Sequence, residues 1–174
     1  KDQNNFNENI KIINNQIKQI ENLVNEFSDF ARMPKPILKN NDLISLLNDN
    51  IVLLSEIDKS IRIDFKKNSN QILFKCDKEQ IGRVFFNLIK NSIESIQQKS
   101  ENNPNFKKKI SIEILQDNDH IKFILVDNGI GLRNIKGNIK DILNPYYTTK
   151  KNGTGLGLSI VNKIINDHDG ELDF

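Results

Sequence analysis

A chain of 174 residues with a single cysteine, Cys76, and no tryptophan has little of the chemistry that staples small domains together. One thiol closes no internal disulfide and builds no thiolate metal cluster, which excludes a disulfide scaffold and agrees with a reducing, cytoplasmic setting. Histidine is nearly as scarce, with only His120 and His168. Charge of one sign is missing too, because 25 Lys and Arg face 23 Asp and Glu for a net charge of +2. Such a balance gives no field for nucleic acid, and the one tight basic run, Lys107-Lys108-Lys109, reads as a solvated strand entrance. No apolar run approaches the ~20 residues of a membrane span, and the polar N-terminus is not signal-like. Neither nucleic acid nor membrane contact is expected of this chain. It opens on Lys1 without a methionine, as a piece of a longer chain would.

What is present is enough apolar residue, 37%, for a core, arranged in periods that change along the chain. Phe6, Ile10, Ile13, Ile17, Ile20, Val24 and Phe27 alternate by fours and threes, one stripe of a long helix that must pack on a hairpin partner, a second subunit, or both. Pro34 and Pro36 stop it, which sets a boundary between segments 1–36 and 37–174. Asp42 then caps a helix carrying Leu43, Leu46, Leu47, Ile51 and Leu54. Strand patterns follow at Ile61 to Phe65 and Ile72 to Phe74. Asp77 with Gln80 is a capping-box-like start for a long helix through Ile81, Val84, Phe85, Leu88, Ile89 and Ile96.

After a loop at Asn102 to Asn105, strands are expected at Ile110 to Leu115 and Ile121 to Val126, joined by a turn at Asp117 to His120. The stretch from Gly129 to Gly153 has five glycines or prolines and little periodicity, a functional loop or lid. A last helix holds Leu156, Ile160, Val161, Ile164 and Ile165. Gly170 breaks it before Glu171 to Phe174 begins a strand. Mixed helices and antiparallel-type strands give an α+β layer arrangement.

Four short stretches carry chemistry. Asn87 and Asn91 lie four apart on the long helix and present two amides on one face. An amide oxygen suits a hard cation such as Mg²⁺, although two asparagines on a helix are more often plain surface. Asp127-Asn128-Gly129-Ile130-Gly131 directly follows a strand. Its carboxylate suits an exocyclic amine such as that of adenine, and its glycines admit a flat ring, while an ordinary hairpin turn is the bland alternative. Asn144 to Lys150 offers Tyr147 as an anchor for the mobile segment and Lys150 as a point charge for phosphate. Gly153-Thr154-Gly155-Leu156-Gly157 opens the last helix and bares N–H groups to phosphate oxygens. It is no Walker loop, since no Gly-Lys-Ser/Thr follows, and no hydrophobic strand directly precedes it as a Rossmann motif requires.

Taken in order, Asn87-x-x-x-Asn91, Asp127-x-Gly129-x-Gly131, Tyr-Tyr-Thr-Thr-Lys and Gly153-x-Gly155-x-Gly157 resemble the N box, first G box, F box and second G box of the histidine kinase ATPase domain, in the superfamily shared with gyrase, Hsp90 and MutL. Glu26 to Pro34 further resembles the end of the second dimerisation helix of NtrY-type sensor kinases. The resemblance implies a two-layer α/β sandwich preceded by a partial dimerisation helix. It implies ATP between the long helix and the lid, Asp127 on the adenine amine, Asn91 on Mg²⁺, and Asn87 and Lys90 on phosphate. Gly129, Gly131, Tyr147, Thr148, Thr149, Lys150, Gly153, Thr154, Gly155, Leu156 and Gly157 would line or close over the nucleotide. A second kinase subunit and a response-regulator receiver domain are the implied partners, and a membrane-anchored parent is the implied context.

The superfamily's hydrolases carry a glutamate at the position of Asn87 to activate water, whereas an amide is no general base. Asn87 therefore favours a kinase that transfers the γ-phosphate to a histidine. Neither His120, in a turn, nor His168, near the end of the last helix, suits the acceptor, which the family places on an earlier helix. A further strand that the family adds after this region is also missing. The alternatives are a non-autophosphorylating ATP-binding module or ATPase of the same superfamily, which would lack the long N-terminal helix, and a plain helical scaffold, which would bind no nucleotide.

Overall fold

Asp77 starts the helix on which the rest of the molecule is hung. Its Oδ1 accepts from the backbone N–H groups of Glu79 and Gln80 at 3.0 and 3.1 Å, and its Oδ2 from Ile37 N at 2.8 Å. Three orphan donors are satisfied by one carboxylate. The expected capping box is only half present, because the Gln80 side chain donates to Pro34 O at 3.0 Å instead of reaching back. Asp77 N donates to His168 Nε2 at 3.0 Å, and His168 Nδ1 lies 2.8 Å from Ile164 O. Nε2 of His168 thus joins the start of this helix to the end of the last one, while Nδ1 is held within its own helix.

The computed structural model describes residues 2–101, 103, 105–117, 120–132, 138–150 and 153–174, with the side chains of 2–5 and 22 excepted. Its elements are α1 (Asp2–Ala31), β1 (Lys39–Asp42), α2 (Leu43–Ser55), β2 (Arg62–Lys67), β3 (Leu73–Cys76), α3 (Lys78–Ser100), β4 (Lys109–Gln116), β5 (Ile121–Asp127), a 3₁₀ turn at Ile139–Leu143 and α4 (Gly157–Asp167). Parts of the expected loop at 102–105, of the turn at 117–120 and of the lid at 129–153 lie outside the described residues.

β2, β4 and β5 form one sheet, with β2 parallel and β5 antiparallel to the central β4. The parallel pair departs from the antiparallel expectation, since β3 and α3 intervene between β2 and β4 as a crossover. β1 and β3 form a separate antiparallel ribbon. Ile110, Ile112 and Ile114 alternate inward from β4 against Ile89, Ile93 and Ile96 of α3, and Phe85 meets Phe123 with ring centroids 5.0 Å apart. Helices α2, α3 and α4 make the second layer. Leu47, Leu54, Ile160 and Ile164 close the core, and Cys76 is fully buried, with burial pushing its thiol up. Such a thiol is packing and not a nucleophile.

The strand expected at Glu171 to Phe174 is not formed. Asp169 adopts φ 58° and Gly170 N donates to Ile165 O, which caps α4 and turns the chain. Leu172 packs on the core, and no strand lies beside it among the described residues. Along α1 the apolar stripe stands in solvent, with Phe6 63% and Ile20 59% exposed. Its end and the linker after it engage the body: Phe30 and Met33 pack on the core, and Asp29 Oδ2 lies 3.2 Å from an Arg83 guanidinium nitrogen.

Asp58 supplies a pH-dependent part of the stability. Lys108 Nζ at 2.8 Å and the Ser60 hydroxyl at 2.6 Å hold its carboxyl at about 2, down from 3.8. Burial acts to raise the Asp77 carboxyl, but its backbone donors from Ile37, Gln80 and Glu79 outweigh burial and lower it. Folded values below the unfolded ones stabilise fully above 3.8, and that stabilisation is lost as pH falls towards about 2. Denaturant titrations at successive pH values are expected to show this decline. Asp58→Asn should flatten it by on the order of 2 kcal/mol.

Candidate functional site

α3 presents a polar face to the ends of three other segments. Asn87 Nδ2 donates to Arg83 O at 3.0 Å, back along its own helix, which leaves its oxygen facing away. The Asn87 oxygen lies 3.6 Å, and the Asn91 amide nitrogen 3.9 Å, from where a Cβ on Gly157 would stand. The first turn of α4 therefore abuts both asparagines, and a Cβ at 157 would stand in ordinary van der Waals contact with them.

One to two turns further along α3, Ser92 and Ser95 bind the carboxylate at the end of β5. Ser92 Oγ donates to Asp127 Oδ2 at 3.2 Å and Ser95 Oγ to Oδ1 at 3.3 Å, while Gly129 N donates to Oδ1 at 2.8 Å. Ile130 N in turn donates to Ser95 Oγ at 3.1 Å. Lys99 Nζ donates to the carbonyls of Asn128 and Gly129 at 2.7 and 2.9 Å, with its ammonium over the Phe106 ring. Asn128 is fastened to the sheet edge by Lys107 O and Lys109 N. The loop after β5 is thus held from both sides, with Asp127 fixed in direction and no atom of the described residues within 4 Å of a Cβ added at Gly131.

The segment before α4 folds back on itself. Tyr146 N donates to Gly155 O at 3.0 Å, and a Cβ on Gly155, whose φ is +71°, would come within 2.4 Å of the Tyr146 carbonyl carbon. Only glycine fits there. Thr148 Oγ1 accepts from Lys150 N at 3.1 Å, and Gly153 N donates to Lys150 O at 3.3 Å. Tyr147 is half-buried and Thr149 exposed, while Leu156 is fully buried and anchors the start of α4. Ile142, buried in the 3₁₀ turn, adds an anchor that sequence reasoning did not single out.

Lys150 spans the gap between this segment and α3. Its Nζ donates to Asn91 Oδ1 at 2.9 Å and makes a short contact with Glu94. Lys90 Nζ stands 3.9 Å from the other Glu94 oxygen. Thr154 Oγ1 makes a short contact with Glu26, so the end of α1 also touches the second glycine stretch. All four chemically marked stretches of the sequence therefore meet along α3. Sequence reasoning passed over Ser92, Ser95, Lys99, Glu94 and Glu26; the first four continue the spacing of Asn87 and Asn91 along α3 by steps of one, three or four.

A cation already stands on Asn91 Oδ1, the ammonium of Lys150, so this oxygen is aimed at a place where positive charge is accommodated. Among the described residues no three His, Cys, Asp or Glu side chains gather as a metal cage. An ion here would depend on this amide, on phosphate oxygens and on water. That is the donor set Mg²⁺ accepts.

The family profile described as "Histidine kinase-, DNA gyrase B-, and HSP90-like ATPase" matches residues 76–174. A protein of Rickettsia bellii named as an NtrY-like sensor histidine kinase is 34% identical over 164 residues, 94% of this chain and 26% of that protein. The chain thus spans about a quarter of the length of the curated relative it matches. The solved catalytic domain of the histidine kinase ThkA is 28% identical with a TM-score of 0.63, covering 75% of this chain and 81% of that one. ThkA in complex with the response regulator protein TrrA aligns with a TM-score of 0.70 at 25% identity, over 92% of this chain and 44% of that one.

Proposed function

The chain belongs to the family of histidine kinase-, DNA gyrase B- and HSP90-like ATPases, and on that basis we propose that it binds Mg²⁺–ATP along α3 and passes the γ-phosphate to a histidine. The observation that carries this is the convergence of Asp127, Asn91, Lys150 and the Gly153–Gly157 stretch on one face of α3. Asp127, oriented by Ser92, Ser95 and Gly129 N, accepts from the adenine amine, and Gly129 and Gly131 leave room for the ring. Asn87 and Lys90 contact phosphate from α3. Lys150 and the backbone of Gly153, Thr154, Gly155 and Gly157 close on the triphosphate, with Tyr147, Thr148, Thr149 and Leu156 shaping that side. Mg²⁺, taken by Asn91, supplies charge neutralisation on the phosphate oxygens.

Segment 1–36 is read as part of a dimerisation helix whose exposed stripe seeks a second subunit, and 37–174 as the nucleotide domain. A response regulator receives the phosphate, as the ThkA–TrrA complex suggests by analogy. The setting is the cytoplasmic side of a membrane-anchored parent, by likeness to NtrY-type kinases. No described helix is long and apolar enough to cross a membrane. Hydrolysis is the second reading, and Asn87 disfavours it: its amide nitrogen is spent on Arg83 O and its oxygen is no base for water.

The test is incubation of the chain with Mg²⁺ and γ-labelled ATP together with a separately made histidine-bearing helical hairpin. Label appearing on the hairpin, with release of free phosphate slower by at least about tenfold, is the expected result. Free phosphate appearing without labelled hairpin would replace the kinase by a hydrolase.

A further inference from the structure

The reading above leaves Glu94 unused, although it shares a cation with a residue the reading does use. Lys150 Nζ is bound at once by Asn91 Oδ1, at 2.9 Å, and by Glu94. Asn91 and Glu94 are three residues apart on α3, so their side chains are neighbours on one face. Two hard oxygens, one amide and one carboxylate, thus point at a single positive centre. The ammonium at that centre is bound by the same pair of atoms that a small divalent cation would accept as a partial shell.

We propose that Asn91 and Glu94 together form a cation seat, held by the ammonium of Lys150 until a divalent cation arrives with nucleotide. This rests on the nucleotide reading for α3 and adds to it a second metal-binding residue and an exchange. Asn91 Oδ1 cannot serve Lys150 and a divalent cation at full strength at the same time, so entry of the metal frees Lys150. The freed side chain is carried by the turn that Gly153 N closes on Lys150 O at 3.3 Å, directly ahead of the phosphate-facing glycine stretch. Lys150 thereby moves from a carboxylate to a phosphate without crossing the molecule.

Glu94 gives the seat its selectivity. A carboxylate beside the path of a triphosphate repels it unless a cation stands between the two. Lys90 Nζ lies 3.9 Å from Glu94 Oε1, and both lysines flank the carboxylate in this structure. Once Lys150 and Lys90 have turned to the phosphates, Glu94 is left uncompensated, and the divalent cation on the Asn91 side restores the neutralisation. Nucleotide without metal is therefore penalised, which makes Glu94 the residue that couples nucleotide binding to a divalent ion.

Two titrations on the full chain test this. A non-hydrolysable ATP analogue is titrated by calorimetry with Mg²⁺ and with EDTA, and the ratio of the two affinities is compared. That ratio is expected to fall by about tenfold or more in Glu94→Gln and not to fall in Lys150→Met, the size expected for loss of a metal-supporting group. Separately, Mn²⁺ alone is titrated by electron paramagnetic resonance without nucleotide. Lys150→Met, with the seat vacated, should take up Mn²⁺ about tenfold more tightly than wild type, and Glu94→Gln added to it should abolish the gain. An unchanged Mg²⁺ ratio in Glu94→Gln, or equal Mn²⁺ uptake by wild type and Lys150→Met, overturns the proposal. The Mn²⁺ titration judges the seat even if no analogue binds, so failure of the nucleotide reading is seen separately.

Discussion

Asp127→Ala is expected to weaken binding of a Mg²⁺–ATP analogue by about 100-fold, on the order of 2.7 kcal/mol. The carboxylate does two things. In the proposed site it would offer oxygen to an incoming amine, and it satisfies Ser92, Ser95 and Gly129 N, which fix where that oxygen points. Removing it leaves the Ser92 hydroxyl, in a residue only 3% exposed, without its acceptor, so stability should also fall by about 1–2 kcal/mol. Asp127→Asn separates the two effects. One amide oxygen can still accept from Gly129 N, so the fold should be kept, while the amide nitrogen turned towards an exocyclic amine opposes it. Isothermal calorimetry for affinity and urea melts for stability read the two independently. An Asp127→Asn variant that binds as tightly as wild type would remove Asp127 from the site.

Gly129→Ala is the substitution expected to damage the molecule most. A Cβ there would lie 2.2 Å from Ser95 Oγ, 2.6 Å from the Ser95 carbonyl carbon and 2.8 Å from Asp127 Oδ1. A hydroxyl can rotate away, but the backbone of α3 cannot, and the Asp127 carboxylate is tied to the same serine. Relief requires the end of β5 to part from α3, which breaks the hydrogen bonds of Ile130 N and Lys99 as well. A loss of about 3 kcal/mol is expected, in the range of overpacking against helix backbone combined with broken part-buried hydrogen bonds, together with loss of analogue binding. Gly131→Ala is the control. Among the described residues it meets no atom within 4 Å, and its φ of +66° costs about 1 kcal/mol. Thermal melts of the two variants should differ clearly, and equal melting temperatures would refute the packing argument.

The core of this fold was legible in sequence because its helices bury one face at a strict spacing. Of the residues that spacing picks out along α3, Ile81, Val84, Phe85, Ile89 and Ile96 are buried and Leu88 is half-buried, while Ile93, which it did not pick out, is buried too. β1 was not legible. Lys39-Asn40-Asn41-Asp42 has no strand propensity, and its extended form is set by pairing with Leu73–Cys76. The reverse error at Glu171 to Phe174 has the same origin, since an alternating tetrapeptide becomes a strand only beside another strand. Asp77 was read correctly as a cap, whereas the reach of Gln80 towards Pro34 depends on where the linker after α1 lies, which no local pattern encodes.

For the site, the marked stretches were readable because asparagine pairs and glycine triplets in that order are unusual. Their supports were not. Ser92, Ser95, Lys99 and Glu94 look like the solvated side of any helix, and only the proximity of β5 and Lys150 gives them partners. Glu26 is further still from the glycine stretch in sequence, and its contact with Thr154 follows from how the end of α1 is seated. His168 was assigned a structural place, and its Nε2 links the start of α3 to the end of α4 while its Nδ1 pairs within α4.

The central claim is that nucleotide lies along α3 between Asp127 and the Gly153–Gly157 stretch. The most direct measurement is a titration of isotopically labelled chain with Mg²⁺ and a non-hydrolysable ATP analogue, followed by backbone amide resonances. Saturable shifts concentrated at Asn91, Gly129, Gly131, Lys150 and Gly153 to Gly157, and absent from the β1–β3 ribbon, are the predicted result. Shifts confined to other surfaces, or no saturable shift at millimolar analogue, would contradict it.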